Sequence, residues 1–175
     1  MNDLNEFLNK GGIIAFPTDT VWGLGALPNS AGVDALFKIK GRPREKHFVI
    51  MSDSLAHLRP HMRDFPPLAL ELAQRYFPGA LTVIGNEDPV FGGVRIPKCE
   101  SFRKLCGNID GHCLATTSAN ISGRPALETA AEIERVFPTA RIIGDRNFKP
   151  SGTASTVVKV VKDQIKILRQ GAVAV

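Results

Sequence analysis

Short apolar segments alternate with segments of helical spacing along most of the chain, which is typical of an α/β domain. The spacing predicts helices over residues 3–10, 30–40, 67–76, 100–106 and 129–137. Apolar runs predict strands over residues 13–16, 48–51, 80–84, 94–96, 113–116, 141–143, 155–161 and 165–168. The last two runs are separated by three residues, which predicts an antiparallel hairpin. We therefore expect a mixed sheet with flanking helices.

The helix boundaries carry their own signals. Ser30 is a candidate N-cap for the second helix, and Gly41 is its candidate C-terminal stop. Thr129 and Glu132 have the spacing of a capping box for the last helix.

Composition indicates one domain and an anionic partner. The 175 residues, 43% of them hydrophobic, are enough for one well-packed domain, which we assign to residues 1–175. The formal net charge of +5 favours nucleotides or RNA without choosing between them. The first residues are acidic and no apolar run approaches a membrane span of about 20 residues, so we expect a cytoplasmic protein without a membrane contact.

The cysteines and histidines do not predict a metal site. Cys99, Cys106 and Cys113 lack the Cys-x-x-Cys spacing of zinc and redox pairs, which favours reduced structural thiols. His57 and His61 are four residues apart, but Pro60 lies between them and no third ligand is near in sequence. A solvated loop or helix end is the favoured interpretation of this pair.

The densest charge lies in the run Lys-Ile-Lys-Gly-Arg-Pro-Arg-Glu-Lys at residues 38–46. Pro43 disfavours the α conformation at Arg42, so Lys40 and Arg42 would point the same way if Gly41 were also extended. Such a pair could bind a carboxylate or a phosphate. A solvated basic helix end is the alternative, and this segment alone does not decide between them.

Three hydroxyl-rich segments lie next to predicted strands, at residues 16–25, 116–125 and 150–156. The first has neither the Gly-Lys-Ser/Thr of a P-loop nor a dinucleotide fingerprint, and it resembles a loop in which backbone approaches a ligand. An ordinary turn is the alternative for each segment, and Trp22 could simply be a core residue. Because ligands of open α/β sheets bind where strands end, the three segments together favour a binding cleft.

Six motifs in order resemble the YrdC/Sua5/TsaC family. They are TDTVWGLG at 18–25, KGRPREK at 40–46, VRIP at 94–97, TTSANISGRP at 116–125, STVVKV at 155–160 and ILRQGAV at 167–173. The resemblance implies a twisted mixed sheet with a basic concave cleft, in the short single-domain form of the TsaC type. It also implies the activity of a threonylcarbamoyl-AMP synthase, which uses L-threonine, bicarbonate or carbon dioxide, and ATP. The product is threonylcarbamoyl-AMP, the activated intermediate for the t6A modification at tRNA position 37, and pyrophosphate is released.

The resemblance also implies roles for particular residues. The implied catalytic residues are Lys40, Arg42, Ser118 and Asn120. Those implied to bind substrate are Thr18, Thr20, Thr116, Ser155 and Arg169, and those implied to bind nucleotide are Pro97, Thr117, Ser118, Asn120 and Ser155. Magnesium is expected with ATP, held by phosphates and water rather than by a dedicated protein site. A TsaD-type transferase with its helpers is the expected functional partner.

Two departures from the family pattern and one alternative function remain open. His47 stands where many relatives have proline, and the segment before Thr156 leaves either Ser151 or Ser155 as the ligand contact, with Ser155 favoured. The alternative function is a noncatalytic module that binds tRNA or double-stranded RNA through exposed cations. The intact Ser-Ala-Asn at 118–120 favours the enzyme, and the chain has no room for the further regions of a carbamoyl-transfer relative.

Overall fold

The computed structural model describes residues 2–41 and 43–175. Within this part of the chain, the strands are β1 (Ile14–Phe16), β2 (Gly23–Ala26), β3 (Phe48–Ser52), β4 (Leu81–Ile84), β5 (Phe91–Arg95), β6 (Cys113–Ser118), β7 (Arg141–Ile142), β8 (Thr156–Val161) and β9 (Gln164–Arg169). The α-helices are α1 (Asn2–Asn9), α2 (Ser30–Lys40), α3 (Leu55–Leu58), α4 (Pro67–Tyr76), α5 (Glu100–Gly107) and α6 (Ala130–Val136). Two 3₁₀ turns cover Arg59–Met62 and Asp110–His112.

The described strands form one mixed sheet in the order β7-β1-β2-β6-β3-β5-β4-β8-β9. The pairs β1/β7, β3/β5 and β4/β8 are parallel, and the other neighbouring pairs are antiparallel. The predicted hairpin is confirmed as β8–β9, with Val161 opposite Gln164. Lys162 and Asp163 have left-handed φ values of 48° and 58°, which matches the twist of a two-residue hairpin turn.

Helices pack on both faces of the sheet. One face holds the larger core, where Leu36 of α2, Leu72 of α4 and Ile133 of α6 pack with strand residues. On the other face, Leu8 of α1 and Phe102 of α5 pack with a second cluster centred on β1 and the first half of β6. Helices α1 and α5 cover this part of the second face. Residues of β3, β5, β4 and β8 on the other half of the same face line a cavity.

The three cysteines are free and buried, as the sequence favoured. None of the helices in the described ranges combines the length and the apolar character needed to cross a bilayer.

The segment after β1, predicted as a ligand-approaching loop, differs from that prediction only at its end, where residues 23–26 form strand β2. A Cβ atom at Gly23 or at Gly25 would lie 2.8 Å from the ring of Phe16, so these glycines make room for a core aromatic ring. Trp22 is fully buried, which confirms the core interpretation of that residue.

Helix α2 ends as predicted but is capped one residue earlier at its start. The side chain of Asn29, not Ser30, accepts a hydrogen bond of 2.9 Å from the Gly32 amide. Gly41 has a left-handed φ of 55°, and its amide bonds back to the last turn of the helix. Gly41 is therefore not extended, so the condition under which Lys40 and Arg42 were expected to point the same way is not met.

The loop around Pro60 contains more structure than expected. Ser54 caps the short helix α3, and Pro60 lies near the start of the following 3₁₀ turn, where its missing amide costs no hydrogen bond. His57 therefore belongs to α3, and His61 belongs to the 3₁₀ turn that follows it.

The capping box at α6 is present and supports a stability prediction. The Thr129 hydroxyl accepts from the Glu132 amide at 3.2 Å, and the Glu132 carboxylate accepts from the Thr129 amide at 3.1 Å. We expect Thr129→Ala to lower the free energy of unfolding by about 1 kcal/mol, because an amide of the first turn loses its acceptor. Urea unfolding followed by circular dichroism measures this. Thr139→Ala, at another exposed threonine, is the control, and an equal loss there would contradict a specific role of the cap.

Candidate functional site

A cavity of about 360 Å³ lies on the half of the sheet that α1 and α5 leave uncovered. Strands β3, β4, β5, β6 and β8 all contribute residues to its lining. Its polar lining consists of Thr20, His47, Thr82, Arg95, Thr116, Thr117, Ser118, Ser155 and Arg169. Among the described lining residues there are two arginines and no carboxylate, so the cavity suits an anionic ligand.

Arg95 is a buried charged residue of the cavity wall, with 2% of its surface exposed. Its guanidinium donates to Thr20 Oγ1 at 2.9 Å, to Asp19 Oδ1 at 2.6 Å and to the Gly79 carbonyl at 2.9 Å. Burial lowers the pKa of Arg95, and the charge of Asp19 opposes this effect, so the guanidinium stays protonated. Three of its five N–H groups donate to residues in the described ranges, which leaves two for a ligand.

Thr20 is held in place by Thr18, and both residues are buried. The Thr18 hydroxyl donates to the Val21 carbonyl at 2.6 Å, so Thr20, whose hydroxyl oxygen is 3.0 Å from that of Thr18, donates to it. Thr20 then accepts from Arg95. Thr20 lines the cavity, whereas Thr18 supports it from behind.

Ser155 and Arg169 form the wall that the β8–β9 hairpin contributes. Arg169 Nη2 donates to Ser155 Oγ at 3.2 Å, and Arg169 Nε donates to the Ser155 carbonyl at 3.0 Å. Burial lowers the pKa of Arg169, and its charge in turn contributes to the lowered pKa of Arg95. Two neighbouring guanidinium groups favour an anion between them. Ser151 does not line this cavity, and its hydroxyl instead donates to the Thr20 carbonyl.

Lys40 connects the end of α2 to the loop after β6. It is 1% exposed, and its ammonium donates to the Ser118 carbonyl at 2.6 Å and to Asn120 Oδ1. Ser118 Oγ donates to the same amide oxygen at 2.7 Å, and Asn120 Nδ2 donates to the Arg124 carbonyl. The solvated alternative is therefore wrong for Lys40.

The structure brings most of the predicted site residues together. Thr20, Thr116, Thr117, Ser118, Ser155 and Arg169 line the cavity, and Thr18, Lys40 and Asn120 bond to lining residues or to their neighbours. Pro97 is buried after β5 and is not among the lining residues. Arg42 lies outside the described residues. Lys38, Arg44 and Lys46 are exposed on the surface.

Sequence reasoning missed Arg95 and Thr82. Arg95 stands between Val94 and Ile96 in an apolar strand, and a charge at such a position signals a buried interaction. Thr82 lies within β4, and its hydroxyl is 2.9 Å from that of Ser155. The sequence did not indicate a site role for Thr82, because threonine is common in strands.

The mixed sheet, the paired arginines and the hydroxyl-rich wall define an α/β domain with a site for a small anionic ligand. A family model named Sua5/YciO/YrdC, with the description telomere recombination, matches residues 6–171. The chain belongs to the Sua5/YciO/YrdC family, which confirms the resemblance inferred from the motifs.

Several relatives and solved structures are similar to this chain. A threonylcarbamoyl-AMP synthase of Pyrococcus abyssi is 34% identical over 94% of this chain, which spans 52% of that relative. A threonylcarbamoyl-AMP synthase of Thiobacillus denitrificans is 30% identical over 93% of this chain and 92% of its own length. The crystal structure of P. abyssi Sua5 complexed with L-threonine matches with a TM-score of 0.81 and 29% identity, over 97% of this chain and 53% of that one. The chain thus spans about half the length of the P. abyssi proteins.

Proposed function

We propose that this chain is a threonylcarbamoyl-AMP synthase, which forms threonylcarbamoyl-AMP and pyrophosphate from L-threonine, bicarbonate or carbon dioxide, and ATP. The observation that carries the proposal is the buried pair formed by Arg95 and Thr20. This pair lines a cavity that also includes Ser118 and has no carboxylate among its described lining residues. Two relatives that cover nearly the whole chain bear the name of this enzyme.

The threonine carboxylate is proposed to bind Arg95. Two N–H groups of Arg95 have no partner among the described residues, and they match the two oxygens of a carboxylate. Thr20 and Thr116 offer hydroxyls on the same cavity wall for the rest of the amino acid. Binding of L-threonine by the P. abyssi structure supports this assignment.

The nucleotide is proposed to lie towards Ser118, Asn120 and Arg169. Carbon dioxide adds to the threonine amine to give a carbamate, whose oxygen attacks the α-phosphorus while pyrophosphate leaves. All of these groups are anionic, so acceleration rests on positioning and charge neutralisation. Lys40 holds the loop that carries Ser118 and Asn120. Arg42 remains a predicted contact of either the triphosphate or the threonine carboxylate or carbamate.

Magnesium is proposed to enter with ATP. Because no described lining residue is an aspartate or a glutamate, phosphate oxygens and water would supply its ligands. The TsaD-type partner, RNA binding and the cytoplasmic location remain predictions that rest on the family resemblance.

The proposal is tested by incubating the protein with ATP, magnesium, labelled bicarbonate and L-threonine. We expect labelled threonylcarbamoyl-AMP, identified by mass spectrometry, together with an equal amount of pyrophosphate. Reactions without threonine, or with D-threonine, are the controls. Absence of a threonine-dependent adenylate, under conditions in which a known synthase forms it, would leave the RNA-binding alternative as the better interpretation.

A further inference from the structure

A second cluster of polar side chains lies at the end of β6 far from Ser118. Asp53 follows β3, His57 belongs to α3, and His112 directly precedes β6. The antiparallel pairing of Ser52 with Cys113 brings these three segments together. The cavity described above does not include these three residues.

Each of the three side chains offers one potential ligand atom to this cluster. One ligand-type atom from each of the three side chains lies within 4.8 Å of the others. His57 Nδ1 is 2.7 Å from Asp53 Oδ1, and the rings of His57 and His112 are stacked with centroids 4.0 Å apart. Ser52 fixes the backbone by donating to the His112 carbonyl at 2.7 Å.

His112 is held in an unusual way. Its φ of 53° lies in the left-handed region, which is uncommon for residues other than glycine. Its Nδ1 atom is buried and has no hydrogen-bond partner among the described residues. A buried ring nitrogen without a partner costs free energy. When this nitrogen is unprotonated, its lone pair can bind a cation.

Asp53 supplies the negative charge that such a site needs. Its Oδ1 atom lies 2.7 Å from His57 Nδ1, so the carboxylate is already oriented towards the imidazole. With the Nδ1–H of a neutral His57 directed at this carboxylate, the Nε2 atom retains its lone pair.

We propose that Asp53, His57 and His112 bind a divalent transition-metal ion of the Zn²⁺ type. Two imidazoles and one carboxylate are a donor set that zinc accepts, with water in the fourth position. A metal–nitrogen bond lies in the plane of its imidazole, so two parallel rings cannot both point at one ion. The ring of His57 therefore turns on binding, which its 42% exposed side chain on a four-residue helix permits.

Neighbouring groups limit the ligand set to these three residues. Cys113 donates its thiol to the His57 carbonyl, and its sulfur is not among the clustered ligand atoms. His61, which the sequence placed beside His57, instead lines a separate small cavity with Asp88. The bound ion would link α3 to the start of β6.

The proposal is tested by adding Zn²⁺ to the full chain and following the imidazole resonances by NMR. The chain has only four histidines, so each can be assigned by substitution. We expect saturation at one ion per chain, with the His57 and His112 resonances shifting together. His112→Asn, which tolerates a left-handed backbone, should weaken zinc affinity by about 10-fold or more, measured by competition with a chelating dye. His61→Gln is the matched control and should bind as the unmodified chain does.

Several outcomes would overturn the proposal. They are the absence of saturable binding, unchanged affinity in His112→Asn, or shifts at His47 or His61 instead. A thiolate charge-transfer band with Co²⁺ would assign the ion to a cysteine. His57→Gln gives an independent measurement if His112→Asn does not fold, as judged by circular dichroism.

Discussion

Lys40→Met is expected to lower the catalytic efficiency, kcat/KM, of adenylate formation by about 10²- to 10³-fold. Lys40 is buried, and its ammonium donates to the Ser118 carbonyl and to Asn120 Oδ1. Methionine fills a similar space but donates nothing, so both oxygens lose a charged donor. We expect the loop that carries Ser118 and Asn120 to shift, which weakens the contacts proposed for the nucleotide phosphates.

The decrease should appear mainly in kcat, because positioning of the phosphates matters most in the transition state. Steady-state kinetics with ATP and threonine each varied measure it, at a temperature where circular dichroism shows both proteins folded. Lys38→Met, on the exposed face of the same helix turn, is the matched control and should change kcat/KM by less than about twofold. Equal effects of the two substitutions would mean that Lys40 acts only through the general positive charge.

Local signals in the sequence predicted every described α-helix except α3, and most of the strands. The C-terminal stop at Gly41 and the capping box at Thr129 involve residues within a few positions of each other, so their spacing is enough to identify them. The hairpin at the C-terminus is equally local, since two apolar runs flank one short turn. Such features depend on backbone geometry that a few neighbouring residues determine.

The contacts that build the candidate site are not local. Lys40 and Ser118 are 78 residues apart, and Arg95 and Thr20 are 75 residues apart. The charge run at 38–46 could not show that Lys40 turns inward while Lys38 stays exposed, because burial depends on what packs against α2. The family motifs identified Lys40 and Thr20 as site residues. Only the structure shows that the Arg95 guanidinium donates to both Thr20 and Asp19.

Strand β2 contains a hydrophobic contact that the sequence likewise did not predict. Gly23 and Gly25 contributed to the prediction of a loop in which backbone approaches a ligand, yet they make room for the ring of Phe16. That ring comes from the preceding strand, and the antiparallel pairing of Phe16 with Gly23 places it there. The physical reason for these glycines is therefore packing within the sheet.

Arg95→Gln is expected to raise the KM for threonine by about 30-fold or more, which corresponds to about 2 kcal/mol of lost binding. The guanidinium is proposed to bind the carboxylate with the two N–H groups that make no hydrogen bond within the described part of the chain. Glutamine is shorter and uncharged, so it cannot supply that pair of donors, and it leaves Asp19 without its cation. The KM for ATP should change far less, because Ser118, Asn120 and Arg169 are proposed to contact the nucleotide.

Two comparisons separate this effect from a general loss of structure. Arg75→Gln removes an exposed arginine from α4, and both KM values should stay within about twofold of the unmodified protein. Arg95→Gln combined with Asp19→Asn removes the unpaired carboxylate, so this double variant should regain stability but not threonine affinity. If it regained threonine affinity as well, Arg95 would act by neutralising Asp19. A rise in the KM for ATP alone would instead assign the guanidinium to the nucleotide.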